Sequence, residues 1–543
     1  MDVRAGRVIR RFLIFGAVPT NIVAAVLGWL YWRPLLLLLI PLLPLTIVGL
    51  SDIFQKRRSI LRNFPVLGHG RYLMESLRPE LHQYFIESNT NGLPFDRLRR
   101  DKMYQRAKRQ LDTLPFGAQR DMYQPGYEWI DHSILARSNH NIDPRIMIGG
   151  PHCSQPYNAS LLNVSAMSYG SLSPNAVLAL NEGARIGNFA HNTGEGGISP
   201  YHLQGGGDLI YQLGTGYFGS RNPKDGTFCP ERFSEKAALP TVKMIEIKLS
   251  QGAKPGHGGI LPAQKLTPEI AEIRGVPMGM DVLSPPAHTA FSTPRGLLEF
   301  VTVLRDRSGG KPVGIKMCVG YRREIIALCK AMHETGIYPD YISVDGGEGG
   351  TGAAPMEFSN SVGHPLEDGL AFMINALVGY NLRPHIRVMA AGKITTGFDM
   401  VSRLALGADA CYSARGMMFA LGCIQALTCN TNHCPTGVAT QDPQLYQGLV
   451  VSAKRDRVAN FHHGVVSSLM EILGASGLSS PDELRPEHIH RRISHMEVKT
   501  YAEIHHFIPP GSLLDESAIP LTFRPWCQGV TADSFVPLAA AVH

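Results

Sequence analysis

The chain has 543 residues, 44% hydrophobic and 18% charged, with 56 Gly, 38 Pro and a net charge of +7. This composition excludes disordered, collagenous and disulfide-scaffold proteins, and the length leaves room for an α/β barrel of about 250 residues beside other segments. Residues 1–62 hold nine Lys and Arg against Asp2 and Asp52, which accounts for the whole net charge. A protein whose excess charge is confined to its first tenth is not built like a nucleic-acid binder with a basic working face.

Phe12 to Trp32 is a run of 21 residues without a charge, and Pro34 to Ser51 a second of 18. Each is close to the roughly 20 residues that cross a bilayer core. Arg4, Arg7, Arg10 and Arg11 precede the first run; Lys56, Arg57, Arg58 and Arg62 follow the second. The positive-inside rule therefore predicts a two-helix transmembrane hairpin over residues 1–62, in the cytoplasmic membrane, with both ends and the catalytic body cytoplasmic. A cleaved signal peptide is the competing reading, but a second apolar run follows directly. Pro41 and Pro44 make the second span the weaker one, compatible with a re-entrant segment. Residues 63–150 read as a helical and irregular lead-in, whose basic stretch Arg97–Arg109 suits anionic lipid or a solvated helix face.

Strand-like apolar runs ending in Gly, Ser, Asn or Pro then recur: Leu161–Met167, Asn188–Thr193, Met244–Ser250, Asp281–Pro286, Pro312–Cys318, Tyr341–Gly347, Ile386–Gly392 and Ala408–Arg415. Helical-period segments separate most of them, at Asn175–Ile186, Pro294–Arg307, Arg322–Thr335, Leu366–Val378 and Gly397–Leu406. Eight strand–helix units predict an α/β fold of the closed (β/α)8 TIM-barrel type over residues 151–475. Glu195, Lys254, His288, Lys316, Asp345 and Lys393 fall at or beyond C-terminal strand ends, where a barrel enzyme assembles its site. The glycine-rich turn from Asp345, with Gly346 and Gly347, allows close backbone approach to a ligand. Gly392 with Lys393, and Ser413 to Gly416 with Arg415, resemble phosphate-holding turns after the last two strands, favouring FMN over a dinucleotide because no strand–GxGxxG–helix fingerprint occurs.

Nine cysteines without a framework fit a reducing compartment. Cys423, Cys429 and Cys434, on a loop after the eighth strand, can hold an iron–sulfur cluster, or zinc if His433 joins them. The segment after Leu449–Ser476 reads as an irregular C-terminal extension, residues 476–543, and His462, His463 and the histidines from His488 to His495 read as packing or surface residues.

The motifs Ala166-Met-Ser-Tyr-Gly-Ser171, Asn192-Thr-Gly-Glu-Gly-Gly197, Ile245-Glu-Ile-Lys-Leu-Ser-Gln-Gly-Ala-Lys-Pro-Gly256, Leu283-Ser-Pro-Pro286 and Gly346-Gly-Glu-Gly-Gly-Thr-Gly-Ala353, with the cysteine loop, resemble the FMN-binding synthase domain of glutamate synthase. The resemblance covers about residues 150–475 and implies FMN, a [3Fe-4S] cluster on Cys423, Cys429 and Cys434, and reductive amination of 2-oxoglutarate with ammonia to L-glutamate. It implies catalytic roles for Glu195, Lys254 and Lys316, and substrate binding by Lys254 and Arg274. Ala166, Met167 and Ser168 would lie against the flavin, with Lys316 at its N1/O2 side and Gly392, Lys393, Ser413, Arg415 and Gly416 about its phosphate. A membrane segment stands where that family carries a glutaminase domain, so ammonia would come free or from a separate glutaminase subunit, and electrons from ferredoxin or a partner reductase. His257 and Ile260 replace Glu and Gln of the family motif, which leaves open another 2-oxoacid or methylamine. Oxidation of a 2-hydroxy or amino acid, and a membrane redox protein without amination activity, are the alternatives.

Overall fold

A computed structural model describes residues 3–110, 113–139 and 142–536. Met1 and Asp2 of the expected hairpin segment, positions 111–112 and 140–141 of the lead-in, and 537–543 of the C-terminal extension lie outside the described residues. The chain divides into two compact units, Met1–Leu98 and Arg99–His543.

In the first unit, α1 (Val3–Phe15) and α2 (Ala17–Leu30) are followed by a 3-10 turn, Arg33–Leu38, that leads into α3 (Leu39–Phe54). The two apolar runs pack as an antiparallel hairpin. Asn21 donates from Nδ2 to Thr46 Oγ1 at 2.8 Å, and a Cβ on Gly28 would meet the Leu36 side chain at 2.8 Å. The expected ranking of the two spans is reversed. Among the described residues Arg33–Phe54 is one helix long and apolar enough to cross a membrane, whereas α1 and α2 reach that length only together and meet at an angle of 56°. Pro19 explains the break: it lies in the first turn of α2, where its ring cannot coexist with a helical bond to the Phe15 carbonyl. Pro41 stands where the 3-10 turn passes into α3, and Pro44 is tolerated inside the helix.

In the second unit a closed barrel of eight parallel strands forms as predicted: β1 (Leu162–Val164), β2 (His191–Asn192), β3 (Leu209–Leu213), β4 (Val242–Lys248), β5 (Val313–Met317), β6 (Tyr341–Asp345), β7 (Arg387–Ala391) and β8 (Ala410–Ser413). One strand is assigned differently. Val282–Leu283 pairs antiparallel with Ile260–Leu261 outside the barrel, and the third barrel strand is Leu209–Leu213. The reason is burial: all five residues of Leu209–Leu213 are buried, while Leu283 is exposed. A short apolar run between glycines carries no periodicity that separates a barrel strand from a surface hairpin.

The helices between strands lie where their periodicity places them: α4 (Pro174–Gly187), α5 (Pro294–Arg307), α6 (Arg322–Thr335), α7 (Leu366–Gly379) and α8 (Gly397–Ala405). Side chains close their starts; Ser173 accepts from Ala176 N, Thr293 from Gly296 N, and Thr396 with Asp399 forms a capping box. The short α9 (Arg415–Leu421) follows β8, and α10 (Val451–Ala475) matches the expected late helix. His462 of α10 is buried, stacks on Phe189 at 4.0 Å and meets Ser160 Oγ at 2.9 Å, a packing role.

Beyond α10 the chain is more ordered than its irregular reading. Ile489–Arg492 pairs with both Val498–Thr500 and Glu128–Ile130, so the extension and the lead-in share one three-stranded sheet. Arg491 and Arg403 both engage Glu367 of α7, which ties this sheet to the barrel wall.

Candidate active site

Strand alternation builds the interior. On β4, Ile245 and Ile247 alternate with Glu246 and Lys248, so the two charged residues share the face opposite the apolar pair. Glu246 is fully buried and its Oε1 accepts from Asn192 Nδ2 at 2.7 Å and Gln212 Nε2 at 2.6 Å. Burial raises its carboxyl above the ordinary range, with Lys316 opposing.

Two residues further along, Lys248 reaches the mouth of the barrel and stands 2.7 Å from Glu195 Oε1. Glu195 sits in the turn after β2, in a slot where glycine is required: a Cβ at Gly214 or Gly259 would come within 2.6 or 2.5 Å of its carboxylate oxygens. Burial works to raise the Glu195 carboxyl, but Lys248, Lys254 and Arg274 outweigh it and hold the group below its ordinary value. Lys254 is 2% exposed and donates to the Ala353 carbonyl at 2.6 Å; burial pushes its ammonium down to about 8, with Glu195 opposing. Arg274 lies over the Phe218 ring at 5.1 Å and donates to Tyr169 O at 3.0 Å, while its buried Nε has no partner among the described residues. Burial lowers it to about 10. Three cations thus surround one carboxylate, and the cluster carries an excess of two positive charges.

Lys316, at the end of β5, is buried and lies 3.4 Å from Ser165 Oγ and 3.5 Å from Asp345 Oδ2, both loose contacts. Asp345 also accepts from Gly252 N at 3.0 Å, and Arg415 donates to the Glu348 carbonyl at 2.6 Å. The turns after β4, β6 and β8 therefore meet at one mouth, and a Cβ on Gly392, after β7, would come within 3.3 Å of Glu348 Oε1 there. Ala166, Met167 and Ser168 are half-buried immediately after the buried strand β1. Gly346 and Gly416 are buried while Gly347, Gly392 and Lys393 are partly exposed, with Gly392 at φ 151° and Lys393 in the left-handed region. The Ser413 hydroxyl is turned inward to the Ile394 carbonyl at 2.7 Å. Half-buried residues beside a loosely held lysine fit a planar, electron-accepting ring such as a flavin.

His288 follows the antiparallel hairpin instead of a barrel strand. It is buried between Tyr217 OH and the Lys248 carbonyl, and burial lowers its ring to about 4, so it props Lys248 as a neutral group.

The cysteine loop follows α9. Gln425, Leu427 and Asn432 all adopt left-handed backbone, a contorted path for three residues that are not glycine. Burial works to raise the Cys434 thiol, yet the Thr436 hydroxyl and the backbone N–H groups of Ala439, Thr436 and Val438 hold it below its ordinary value. Cys423 is pushed up to about 12 by burial. Among the described residues no three ligating side chains converge on a single-ion site. In a multi-iron cluster each thiolate binds a different iron, so convergence on one point is not needed, and three thiols with N–H groups facing a sulfur fit such a group.

Sequence reasoning missed Lys248, Glu246, Gln212 and the buried Lys265. Period-two alternation through Met244–Ser250 would have found the first two; Gln212 was hidden with its unassigned strand.

Residues 131–479 match the family described as the conserved region in glutamate synthase. The chain belongs to the glutamate synthase family. The chain is 38% identical over 491 residues to the glutamate synthase large subunit-like protein YerD of Bacillus subtilis, across 83% of this chain and 93% of that protein. It is 36% identical over 323 residues to the archaeal-type glutamate synthase [NADPH] of Thermotoga neapolitana, across 59% of this chain and 60% of that one. The archaeal glutamate synthase [NADPH] of Methanocaldococcus jannaschii is 35% identical over 323 residues, again 59% and 60% of the two chains. The matches thus span less than two thirds of the archaeal-type relatives. The expected oxidoreductase of glutamate-synthase type, acting on CH–NH2 donors, is borne out by this membership, and the family barrel carries the charged mouth described above.

Proposed function

We propose that this chain catalyses the reductive amination of 2-oxoglutarate with ammonia to L-glutamate, using FMN and a [3Fe-4S] cluster. The observation that carries the reading is the excess of two positive charges where Lys248, Lys254 and Arg274 surround Glu195. A dicarboxylate supplies the missing two negative charges, and the unpartnered Nε of Arg274 offers it a charge-assisted hydrogen bond. Arg274 and Lys254 would grip the carboxylates. Ammonium must lose a proton before its nitrogen attacks the 2-oxo carbon, and Glu195, kept ionised by Lys248, is a base for that step. The carbonyl oxygen leaves as water after taking two protons, and Lys254, with a value of about 8, can give one at neutral pH.

FMN when bound supplies the hydride that reduces the resulting imine carbon. Ala166, Met167 and Ser168 would support its ring, Lys316 would stand where negative charge develops, and the turns at Gly392–Lys393 and Ser413–Gly416 would hold its phosphate. Cys423, Cys429 and Cys434 would ligate the cluster. Ferredoxin or a partner reductase would supply electrons, and ammonia would be free or come from a separate glutaminase. The apolar hairpin of the first unit would anchor the chain in the cytoplasmic membrane, with its basic flanks on the cytoplasmic side.

The test is anaerobic. The flavin of the purified, reduced chain should reoxidise on adding 2-oxoglutarate with ammonium and yield glutamate; a flavin that stays reduced overturns the reading. Ile260 presents an apolar side chain in the hairpin Ile260–Leu261, which favours including pyruvate and glyoxylate, and methylamine as the amine, in the same assay.

A further inference from the structure

Lys265 is 2% exposed, at the end of the 3-10 turn Ala263–Lys265. Its Nζ donates to three carbonyl oxygens: Ser171 at 2.7 Å, Ala439 at 3.1 Å and Cys429 at 3.2 Å. The neighbouring Gln264 is tied to the same loop, donating to Asn430 O at 3.0 Å and accepting from Asn432 Nδ2 at 3.1 Å. No carboxylate pairs with Lys265 among the described residues. A buried ammonium satisfied only by carbonyl dipoles is costly unless a negative charge lies near it. The neighbouring groups that can supply one are the sulfurs of Cys429 and Cys434, which sit within its electrostatic reach.

We propose that Lys265 is a positioning residue that poises the electron-carrying centre on Cys423, Cys429 and Cys434. Its single uncompensated charge favours the more reduced, more negative state, and it donates at once to Ser171 in the loop that follows β1 and to Cys429 in the cysteine loop. The bond to Ser171 matters because Ala166 to Ser168, expected to lie against the flavin, begin that loop. Tyr169, on the same loop, takes the bond from Arg274. One short segment therefore touches the dicarboxylate-binding arginine and the lysine beside the thiols. This inference rests on the iron–sulfur reading given above.

The test uses the 543-residue chain with its cluster reconstituted from iron and sulfide under anaerobic conditions. Wild type, Lys265→Gln and Lys265→Arg are compared by iron content, thermal midpoint, the electron paramagnetic resonance signal of the oxidised cluster, and its reduction potential by redox titration. Lys265→Gln should keep its iron and thermal midpoint while the potential moves to more negative values, the equilibrium for cluster reduction becoming about tenfold less favourable. Lys265→Arg should restore most of it. An unmoved potential in Lys265→Gln overturns the inference, and so does loss of the cluster from both variants, since the lysine would then build the loop instead of poising it. A wild-type chain that takes up no cluster overturns the iron–sulfur reading itself, and this inference with it.

Discussion

Lys248 and Glu195 stand 2.7 Å apart at the barrel mouth, one from the end of β4 and the other from the turn after β2. The pair makes a carboxylate that would be pushed up by burial into one that stays ionised. Replacing Lys248 by Met should raise the Glu195 value and move the acid limb of the kcat/KM profile upward, with activity at pH 7 down about a hundredfold. Flavin content should not change. An unshifted acid limb would show that Glu195 is not the base.

Lys254 gives the opposite limb. Its ammonium is lowered to about 8, so kcat/KM for 2-oxoglutarate should fall as pH rises through about 8 in the free enzyme. Stability follows the reverse sign. The folded-state value lies below the ordinary 10.5, so the cost of burying the charge is fully present below pH 8 and is relieved as pH rises towards 10.5. Lys254→Met should abolish turnover while stabilising the chain at pH 7 by up to about 3 kcal/mol, read from urea unfolding.

Cys429→Ser should remove the visible absorption of an iron–sulfur centre and lower bound iron, while FMN remains. Iron analysis beside flavin fluorescence separates the two cofactors, and an unchanged iron content would end the cluster assignment.

Glu367 takes bonds from Arg403, Arg491 and His505. Burial works to raise its carboxyl, but these partners hold it well below its ordinary 4.5. A depressed carboxyl contributes stability above its unfolded value and loses it as pH falls towards the folded one. Arg491→Met should therefore destabilise the chain at pH 7 by about 2 kcal/mol, with the difference shrinking below pH 4.5. Urea midpoints across that range decide it.

Membrane anchorage has its own test. Leu43 lies midway along Arg33–Phe54, so Leu43→Arg should add about 3 kcal/mol to the cost of insertion. Alkaline carbonate should extract this variant from membranes while wild type stays behind. Extraction of both would argue against a spanning helix.

The barrel and the loop that carries Cys423, Cys429 and Cys434 were legible in sequence because they are local. Pro-capped helices, apolar strands and three cysteines within twelve positions need no knowledge of what lies across the fold. Glu195 and Lys254 were legible through long motifs, and Arg274 through the family resemblance alone. The break at Gly16 was signalled by Pro19 but outweighed by the uninterrupted run of apolar residues.

Sequence by itself therefore determined the fold class and the family. Tertiary structure alone decided that Leu209–Leu213 and not Asp281–Pro286 closes the barrel, because a short run becomes a barrel strand only when neighbours bury both its faces. It also decided which charges meet. Lys248 and Glu195 are 53 positions apart, and Lys265 and Cys429 are 164 apart. Whether a lysine is a solvated ornament or a buried cation that needs an anion depends on the dielectric and the partners that folding places around it, and neither is written in the order of the residues.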